Sequence, residues 1–301
     1  MKRVLVADGL QAVGVDALRK HGLDVEVAGS LGEHELVERI GEYEGLIVRS
    51  ATKVTRAAVE AGRRLEVIGR AGAGVDTIDV DAATKRGIIV MNTPGGNTTA
   101  VAEHTLGLLL ALARRLPAAD VSLKAGRWEK SRLQGVELLG KILGIVGLGR
   151  IGSEVARRAE AFGMQVVHHR RSDGLSLDEL LRASDVVSLH VPLTPETQGL
   201  LSRERLALLR DGATLVNTAR GAIVDESALV DELVSGRISA GLDVFADEPR
   251  VPERLFDLPN VVLTPHIASA TVETRAAMTR VLVDNVLAFL RGEPLPNEVS
   301  A

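Results

Sequence analysis

The chain has 301 residues, of which 46% are hydrophobic and 25% charged, with a formal net charge of −4. That length exceeds one ordinary core and predicts two domains, and an acidic balance with only 2% aromatic residues excludes the basic, aromatic-interleaved face of a nucleic-acid binder. The absence of cysteine excludes disulfides, thiolate metal sites and a cysteine nucleophile, and no run approaches the ~18 apolar residues of a membrane span.

The amino terminus is basic and then apolar, superficially like a signal peptide. Its apolar run stops at Asp8 with no small-residue cleavage site after it, so it reads as a first strand, with the cytoplasm as the expected address. Short β-rich runs then alternate with helical patterns. The first set is Val4–Asp8, Val25–Ala28, Leu46–Arg49, Val67–Arg70 and Ile88–Asn92. A long apolar stretch, Ala100 to Leu116, follows and is expected to be a buried helix through Val101, Leu108, Leu109, Leu112 and Leu116. Thr98 or Thr99 is its expected N-cap, and Pro117 its expected kink or break. The second set is Ile142–Val146, Gln165–His168, Val186–Leu189, Thr214–Asn217, Gly241–Val244 and Val261–Leu263. A last helix is expected over 271–291, ended by Gly292 and Pro294. Such βαβ alternation predicts an α/β protein with two doubly wound parallel sheets.

Within the second set, the strand Ile142–Val146 runs directly into Gly147-Leu148-Gly149-Arg150-Ile151-Gly152 and then a helix. This is G-x-G-x-x-G in the context that gives it meaning. Gly147 permits the tight turn, Gly149 lets the backbone approach a pyrophosphate, and Gly152 lets helix and strand pack closely. The free amides of the helix then face the phosphates. Dinucleotide binding is the expectation, with the pyrophosphate over Gly149, Arg150, Ile151 and Gly152.

Three polar residues stand at or beside the ends of second-set strands: Arg220, Glu248 and His266. Ligands of open α/β sheets bind outside the carboxyl ends of the strands. A cation, a carboxylate and an imidazole form a coherent set for hydride transfer: the cation anchors and polarises a 2-keto acid, the imidazole moves the hydroxyl proton, and the carboxylate orients it. From the residues alone the plain alternatives stay open. Arg220 could be a surface arginine, Glu248 a solvated carboxylate beside Asp247, and His266 a satisfied loop histidine.

The segments Gly69–Asp76, Asn92–Asn97, Gly147–Gly152, Asn217–Gly221, Leu242–Phe245 and Thr264–His266 together resemble the D-isomer-specific 2-hydroxyacid dehydrogenase family along essentially the full length. The resemblance implies a catalytic set of Arg220, Glu248 and His266. It implies that Asp243 holds the nicotinamide carboxamide and that the Ala73 and Gly74 amides take the substrate carboxylate, a role a Gly-rich nest can perform. It further gives Val191, Pro192, Thr197, Thr218, Ala219 and Ala268 to the cofactor site. The implied architecture is a Rossmann domain over 97–269 inserted in a flavodoxin-like substrate domain of 1–96 and 270–301, with a cleft that closes over the cofactor, and a homodimer with the 100–116 helix near its interface. Up to about residue 165 the chain is similar to the phosphoglycerate dehydrogenase group, where Arg49 fits the substrate-phosphate position with Ser50 beside it. Stretches such as His190–Thr197 and Arg291–Asn297 are more similar to glyoxylate/hydroxypyruvate reductases.

One departure concerns the cofactor. The residue after the second Rossmann strand is expected to be acidic, for the ribose hydroxyls of NAD. Here the run is Arg170-Arg171-Ser172, which suits the 2′-phosphate of NADP. A unit charge pair near 4 Å is worth ~1–4 kcal/mol from water-like to surface dielectric, enough to set preference. NADP is therefore favoured over NAD, and the alternative is that either arginine stacks on adenine and tolerates NAD. His168 and His169 are not expected to bind metal, since adjacent strand residues face opposite ways. The reading is a D-2-hydroxyacid dehydrogenase with a small 2-hydroxy or 2-keto acid as partner. The rival is a dinucleotide-binding sensor or corepressor, which has no need of a proton donor.

Overall fold

The computed structural model describes residues 1–295 and 297–299; Pro296, Ser300 and Ala301, at the end of the second segment expected for the substrate domain, lie outside the described residues. The chain divides into two compact units, Met1–Asn97 with Ala270–Ala301, and Thr98–Ser269.

The first unit opens with β1 (Arg3–Val6), α1 (Ala12–Lys20), β2 (Asp24–Val27), α2 (Glu33–Arg39), β3 (Gly45–Val48), α3 (Arg56–Ala61), β4 (Val67–Arg70), α4 (Val80–Lys85) and β5 (Ile89–Met91). β3 and β4 are buried along their whole length, which is why they read as unbroken apolar runs and not as alternation. Successive residues still serve opposite faces. Leu5 and Ala7 join one apolar layer with Leu46 and Ile68, while Val4 and Val6 join the other with Val25 and Ile47. Thr55 and Asp79 cap α3 and α4 by accepting the amides of Ala58 and Ala82, which ends each preceding loop at a defined place.

The second unit holds α5 (Thr98–Ala113), α6 (Leu116–Lys124), β6 (Ile142–Val146), α7 (Arg150–Ala161), β7 (Gln165–Arg170), β8 (Asp173–Gly174), α8 (Leu177–Ala183), β9 (Val186–Leu189), α9 (Arg203–Leu206), β10 (Thr214–Asn217), α10 (Glu226–Val234), β11 (Ser239–Leu242) and β12 (Val261–Leu263). The strand order is β12-β11-β10-β9-β6-β7-β8. Every pairing is parallel except β7 with β8. Leu143 and Ile145 pack into the layer under α5 and α7, and Val146 into the opposite layer with Leu180 and Leu215.

The chain then returns to the first unit with α11 (Val272–Arg291) and β13 (Glu298–Val299). Thr271 caps α11 at its start and Gly292, left-handed at φ 67°, ends it. β13 pairs antiparallel with β5, so the first sheet has the order β13-β5-β4-β3-β1-β2.

Several expectations need correction. The helix expected over 100–116 begins at Thr98 and stops at Ala113, so Thr98 and Thr99 both lie inside it and neither is the N-cap. Arg115, left-handed at φ 52°, separates it from α6. Pro117 marks the first turn of α6, where its missing N–H would be unpaired anyway. Leu116 is 54% exposed and belongs to no buried stripe. The strand expected at 241–244 lies two residues earlier, because its register follows β10 from Thr214 opposite Ser239 to Asn217 opposite Leu242. β7 runs on to Arg170, held by the antiparallel pair with β8. Each sheet thus carries one short antiparallel edge strand that the apolar pattern did not contain.

Candidate functional site

In the second sheet β6 lies between β9 and β7, so the connections leave it in opposite directions and the carboxyl end of β6 is a topological switch point. Gly147 stands there at φ 98°. A Cβ on it would lie 2.7 Å from the His190 carbonyl oxygen, and one on Gly152 would lie 2.2 Å from the Gly147 carbonyl oxygen. Only glycine allows both approaches. Gly149 differs: a Cβ there meets nothing within 4 Å. Gly149 is the N-cap of α7, with no side-chain capping bond and no acidic residue in the first turn. Open space before uncapped amides, without a competing carboxylate, fits a pyrophosphate.

At the end of β7 the arginine is not alone. Arg170 Nε donates to Asp173 Oδ1 at 2.7 Å and to Ser172 Oγ at 3.1 Å, and its Nη2 lies 3.3 Å from Asp173 Oδ2. The hairpin thus sets one carboxylate, Asp173, opposite Arg170. The neighbouring Arg171 and Ser172 are exposed.

Other candidates are spent on shaping loops. Thr197 Oγ1 donates to the Pro192 carbonyl at 2.6 Å and accepts from the Thr194 amide at 2.8 Å, which closes the turn after Val191. Thr105 donates to the Val101 carbonyl, so Thr218, 2.9 Å away, donates to Thr105. Asn217, 2% exposed, accepts from the Ala219 amide at 3.0 Å and donates to the Arg220 carbonyl at 2.9 Å. It therefore fixes the turn that presents Arg220. His190 follows β9, bonded to Ser188 at 2.8 Å, and burial pushes its imidazole pKa down to about 4.

Loops after β10, β11 and β12 bring the three catalytic candidates together. A Cβ on Gly221 would fall 2.0 Å from the Phe245 carbonyl carbon, so the Arg220 loop lies directly on the loop that carries Glu248. Glu248 Oε2 is 2.7 Å from His266 Nδ1, and Oε1 accepts the Phe245 amide at 3.1 Å. Burial opposes ionisation of Glu248, but the His266 bond and charge, the Phe245 amide and the Arg220 charge outweigh it and hold the carboxyl below its ordinary value. With Glu248 on Nδ1, the imidazole has Nε2 left to exchange a proton. His266 is itself left-handed at φ 52°, an uncommon state for a non-glycine residue. Asp243 sits just past β11 with no exposure. Burial works against its charge too, but bonds from His104, Thr264 and the amides of Ile267 and Ala268 prevail and lower its pKa.

The remaining candidates belong to the first unit. Arg49 follows β3, with the exposed Ser50 beyond it. Ala73 and Gly74 lie in the loop after β4, and Asn92 Nδ2 donates to the Ala73 carbonyl at 2.6 Å. That bond fixes the peptide plane from which the Gly74 amide points the opposite way. A cavity of about 300 Å³ is lined by Asp8, Gln11, Arg49, Ala71, Arg275 and Thr279 among others. It opens at the ends of β1 and β3, the switch point of this sheet. Asp8 is spent on the loop, accepting from the amides of Arg49 and Thr52 and from the Thr52 hydroxyl. Burial and the like charge of Arg275 lower the Arg49 pKa, against the pull of Asp8. Such a cavity favours an anion. The sequence reading gave no role to Arg275, Asn92, Asn217 or His104; Asn92 and Asn217 stand within the matching segments Asn92–Asn97 and Asn217–Gly221, and His104 is a ring on an otherwise apolar helix.

Among the described residues no group of three or more His, Cys, Asp or Glu could hold a metal ion, and no helix is long and apolar enough to cross a membrane. The fold and the glycine turn define a doubly wound dinucleotide-binding unit joined to a second α/β unit. Residues 106–268 match the D-isomer specific 2-hydroxyacid dehydrogenase, NAD binding domain. The chain is 43% identical over 311 residues to the D-3-phosphoglycerate dehydrogenase of Archaeoglobus fulgidus, covering 99% of this chain and 59% of that protein. It is 46% identical over 297 residues to the hydroxypyruvate reductase of Thermotoga maritima, covering 94% and 97%. A solved NADPH-dependent glyoxylate/hydroxypyruvate reductase from Sinorhizobium meliloti, in complex with NADP and malonate, superposes with a TM-score of 0.90 at 36% identity, covering 99% and 96%. The chain thus belongs to the D-isomer specific 2-hydroxyacid dehydrogenase family. It spans 56–60% of the length of the first phosphoglycerate dehydrogenases it matches.

Proposed function

We propose that this chain is an NAD(P)-dependent oxidoreductase that interconverts small D-2-hydroxy acids and 2-keto acids. The observation that carries this reading is the 2.7 Å Glu248–His266 pair, with the Arg220 charge beside it, at the carboxyl edge of a dinucleotide-binding sheet. The glycine turn and the α7 amides would hold the pyrophosphate; Asp243, fully buried with both oxygens already accepting from the 264–268 turn, has no free face for the carboxamide. When bound, the nicotinamide supplies or accepts the hydride at substrate C2. His266 Nε2 delivers the proton to the carbonyl oxygen in reduction and removes it from the hydroxyl in oxidation. Glu248 keeps the ring oriented through Nδ1. The Arg220 guanidinium polarises the carbonyl and balances the charge that develops on its oxygen. A sensor that only binds the dinucleotide would need no such pair.

In this reading the Ala73 and Gly74 amides take the substrate carboxylate, and Arg49 with Arg275 takes a second anionic group, as in a phosphorylated three-carbon acid. The similarity to phosphoglycerate dehydrogenases supports it. A second reading, hydroxypyruvate or glyoxylate reduction, is favoured by near end-to-end similarity to the Thermotoga maritima reductase. The exposed Arg171–Ser172 pair supports NADP, while the Arg170–Asp173 pair leaves room for NAD. Leu116, Val121, Leu123, Trp128, Val136 and Leu139 are each more than half exposed, an apolar surface suited to a second copy of the chain in a homodimer. A cysteine-free chain of this class suits the cytoplasm.

The test is reduction of phosphohydroxypyruvate, hydroxypyruvate and glyoxylate with NADH and with NADPH, followed by absorbance. Turnover of at least one acid, abolished in His266→Ala with cofactor affinity intact, is expected. Binding of NADP(H) with no turnover across the panel would leave the sensor as the answer.

A further inference from the structure

Asp243 is fully buried, yet its bonds serve one particular turn. Oδ1 accepts the Ile267 amide at 2.9 Å and Oδ2 the Ala268 amide at 2.8 Å. Its backbone carbonyl accepts the His266 amide at 2.8 Å. Four of the five residues from Thr264 to Ala268 are thereby tied to Asp243, because the Thr264 hydroxyl also lies 2.5 Å from Oδ1. The residue at the centre of this grip is His266, in a left-handed conformation that persists only where its surroundings over-determine it.

The fourth contact leads out of the turn to α5. His104 Nε2 is 3.0 Å from Thr264 Oγ1 and 3.3 Å from Asp243 Oδ1. An ionised carboxylate only accepts, so the Thr264 hydroxyl donates to Asp243. Its oxygen is then left to accept, and His104 must carry hydrogen on Nε2. The direction of the chain is fixed from His104 through Thr264 to Asp243.

We infer that His104 is a positioning residue: through Thr264 and Asp243 it holds the turn that sets the His266 ring against Glu248. The inference rests on the reading of His266 as the proton-transfer group. The ring of His104 reaches neither His266 nor Glu248; it acts by completing the shell of donors around the one carboxylate that grips the His266 turn. Removing it leaves the half-buried Thr264 oxygen without its donor, and the hydroxyl is then free to rotate away from Asp243.

His104→Leu fills the same volume without a donor, and His104→Gln restores an N–H at comparable reach. The expected result is a kcat for keto-acid reduction lower by on the order of tenfold to a hundredfold in His104→Leu, with KM near that of the unmodified protein. His104→Gln should recover most of the loss, and Thr264→Val should reproduce it. Hydrogen exchange of the Ile267 and Ala268 amides, measured without cofactor or substrate, should quicken in His104→Leu and not in His104→Gln. Unchanged kcat in His104→Leu, or equal losses in the Leu and Gln variants at equal thermal stability, would overturn the inference. Full activity in His266→Gln would instead remove the proton-transfer reading, and the amide exchange would still judge the His104 contact on its own.

Discussion

Replacing Gly152 by alanine tests the phosphate cradle through a single methyl group. The added Cβ would stand 2.2 Å from the Gly147 carbonyl oxygen and 3.1 Å from Ile145 Cγ2. Ordinary carbon–oxygen contact begins near ~3.3 Å, so α7 or the turn must yield by about 1 Å. Overpacking of this kind costs about 1–3 kcal/mol, while alanine in place of glycine inside a helix returns about 1 kcal/mol. A net loss of roughly 0–2 kcal/mol in urea unfolding follows from these two terms. Binding should suffer more. Shifting the amides by that distance forfeits at least one charge-assisted bond, about 1.5–3 kcal/mol, or roughly ten- to a hundredfold in Kd for NADPH. Gly149→Ala is the companion variant, since its Cβ meets nothing within 4 Å and its φ of −91° suits any residue. It should unfold like the unmodified protein and still bind NADPH poorly, because the methyl occupies the space reserved for phosphate. Titration calorimetry reads both. Wild-type affinity in both variants would refute the cradle.

Glu248→Gln removes the charge on His266 Nδ1 while keeping the shape, and kcat should fall by about a hundredfold or more, the scale of a lost acid–base contribution, with cofactor Kd unchanged by titration. His190 has a folded pKa of about 4, below the ordinary ~6.5, so the unfolded chain takes up its proton first as pH falls. Its contribution to stability is complete above ~6.5 and drains away towards pH 4; His190→Gln should flatten urea stability across that window. Asp243 and Glu248, both lowered, contribute above their ordinary ~4 and lose that contribution only as pH falls through their folded values, so neither should produce the same slope. Arg170→Asp places two carboxylates where one was paired and should move the kcat/KM ratio towards NADH; no movement would mean that the hairpin does not read the 2′ position.

Much of the fold was legible because parallel strands buried on both faces read as unbroken apolar runs, as in Leu46–Val48 and Ile142–Val146. The two antiparallel edge strands were not, since Asp173–Gly174 and Glu298–Val299 have no apolar pattern and exist through pairing alone. The start of α6 was misread because Pro117 looks alike at a kink and in a first turn. At the site, the glycine turn was readable from local order alone. The Glu248–His266 contact was not, because it depends on where the loops after β11 and β12 meet, and without the family resemblance the plain alternatives stood. Asp173 and His104 escaped for the same reason: their partners are chosen by sheet register and helix docking, not by neighbours in sequence.

The return of α11 to the first unit has a consequence for how the protein is made. Leu282, Val283, Val286 and Leu287 of this helix complete the layer against Val4, Val6 and Ile47, each worth roughly 1.5–3 kcal/mol when buried. Until they leave the ribosome, that face of the first sheet is covered only in part, by Val15 and Leu18 of α1, although its first five strands are made before the second unit. The second unit is continuous in sequence and has no such wait. The dinucleotide-binding unit should therefore fold while the older segment is still in need of a chaperone, and proteolysis of stalled nascent chains should cut first within residues 1–97.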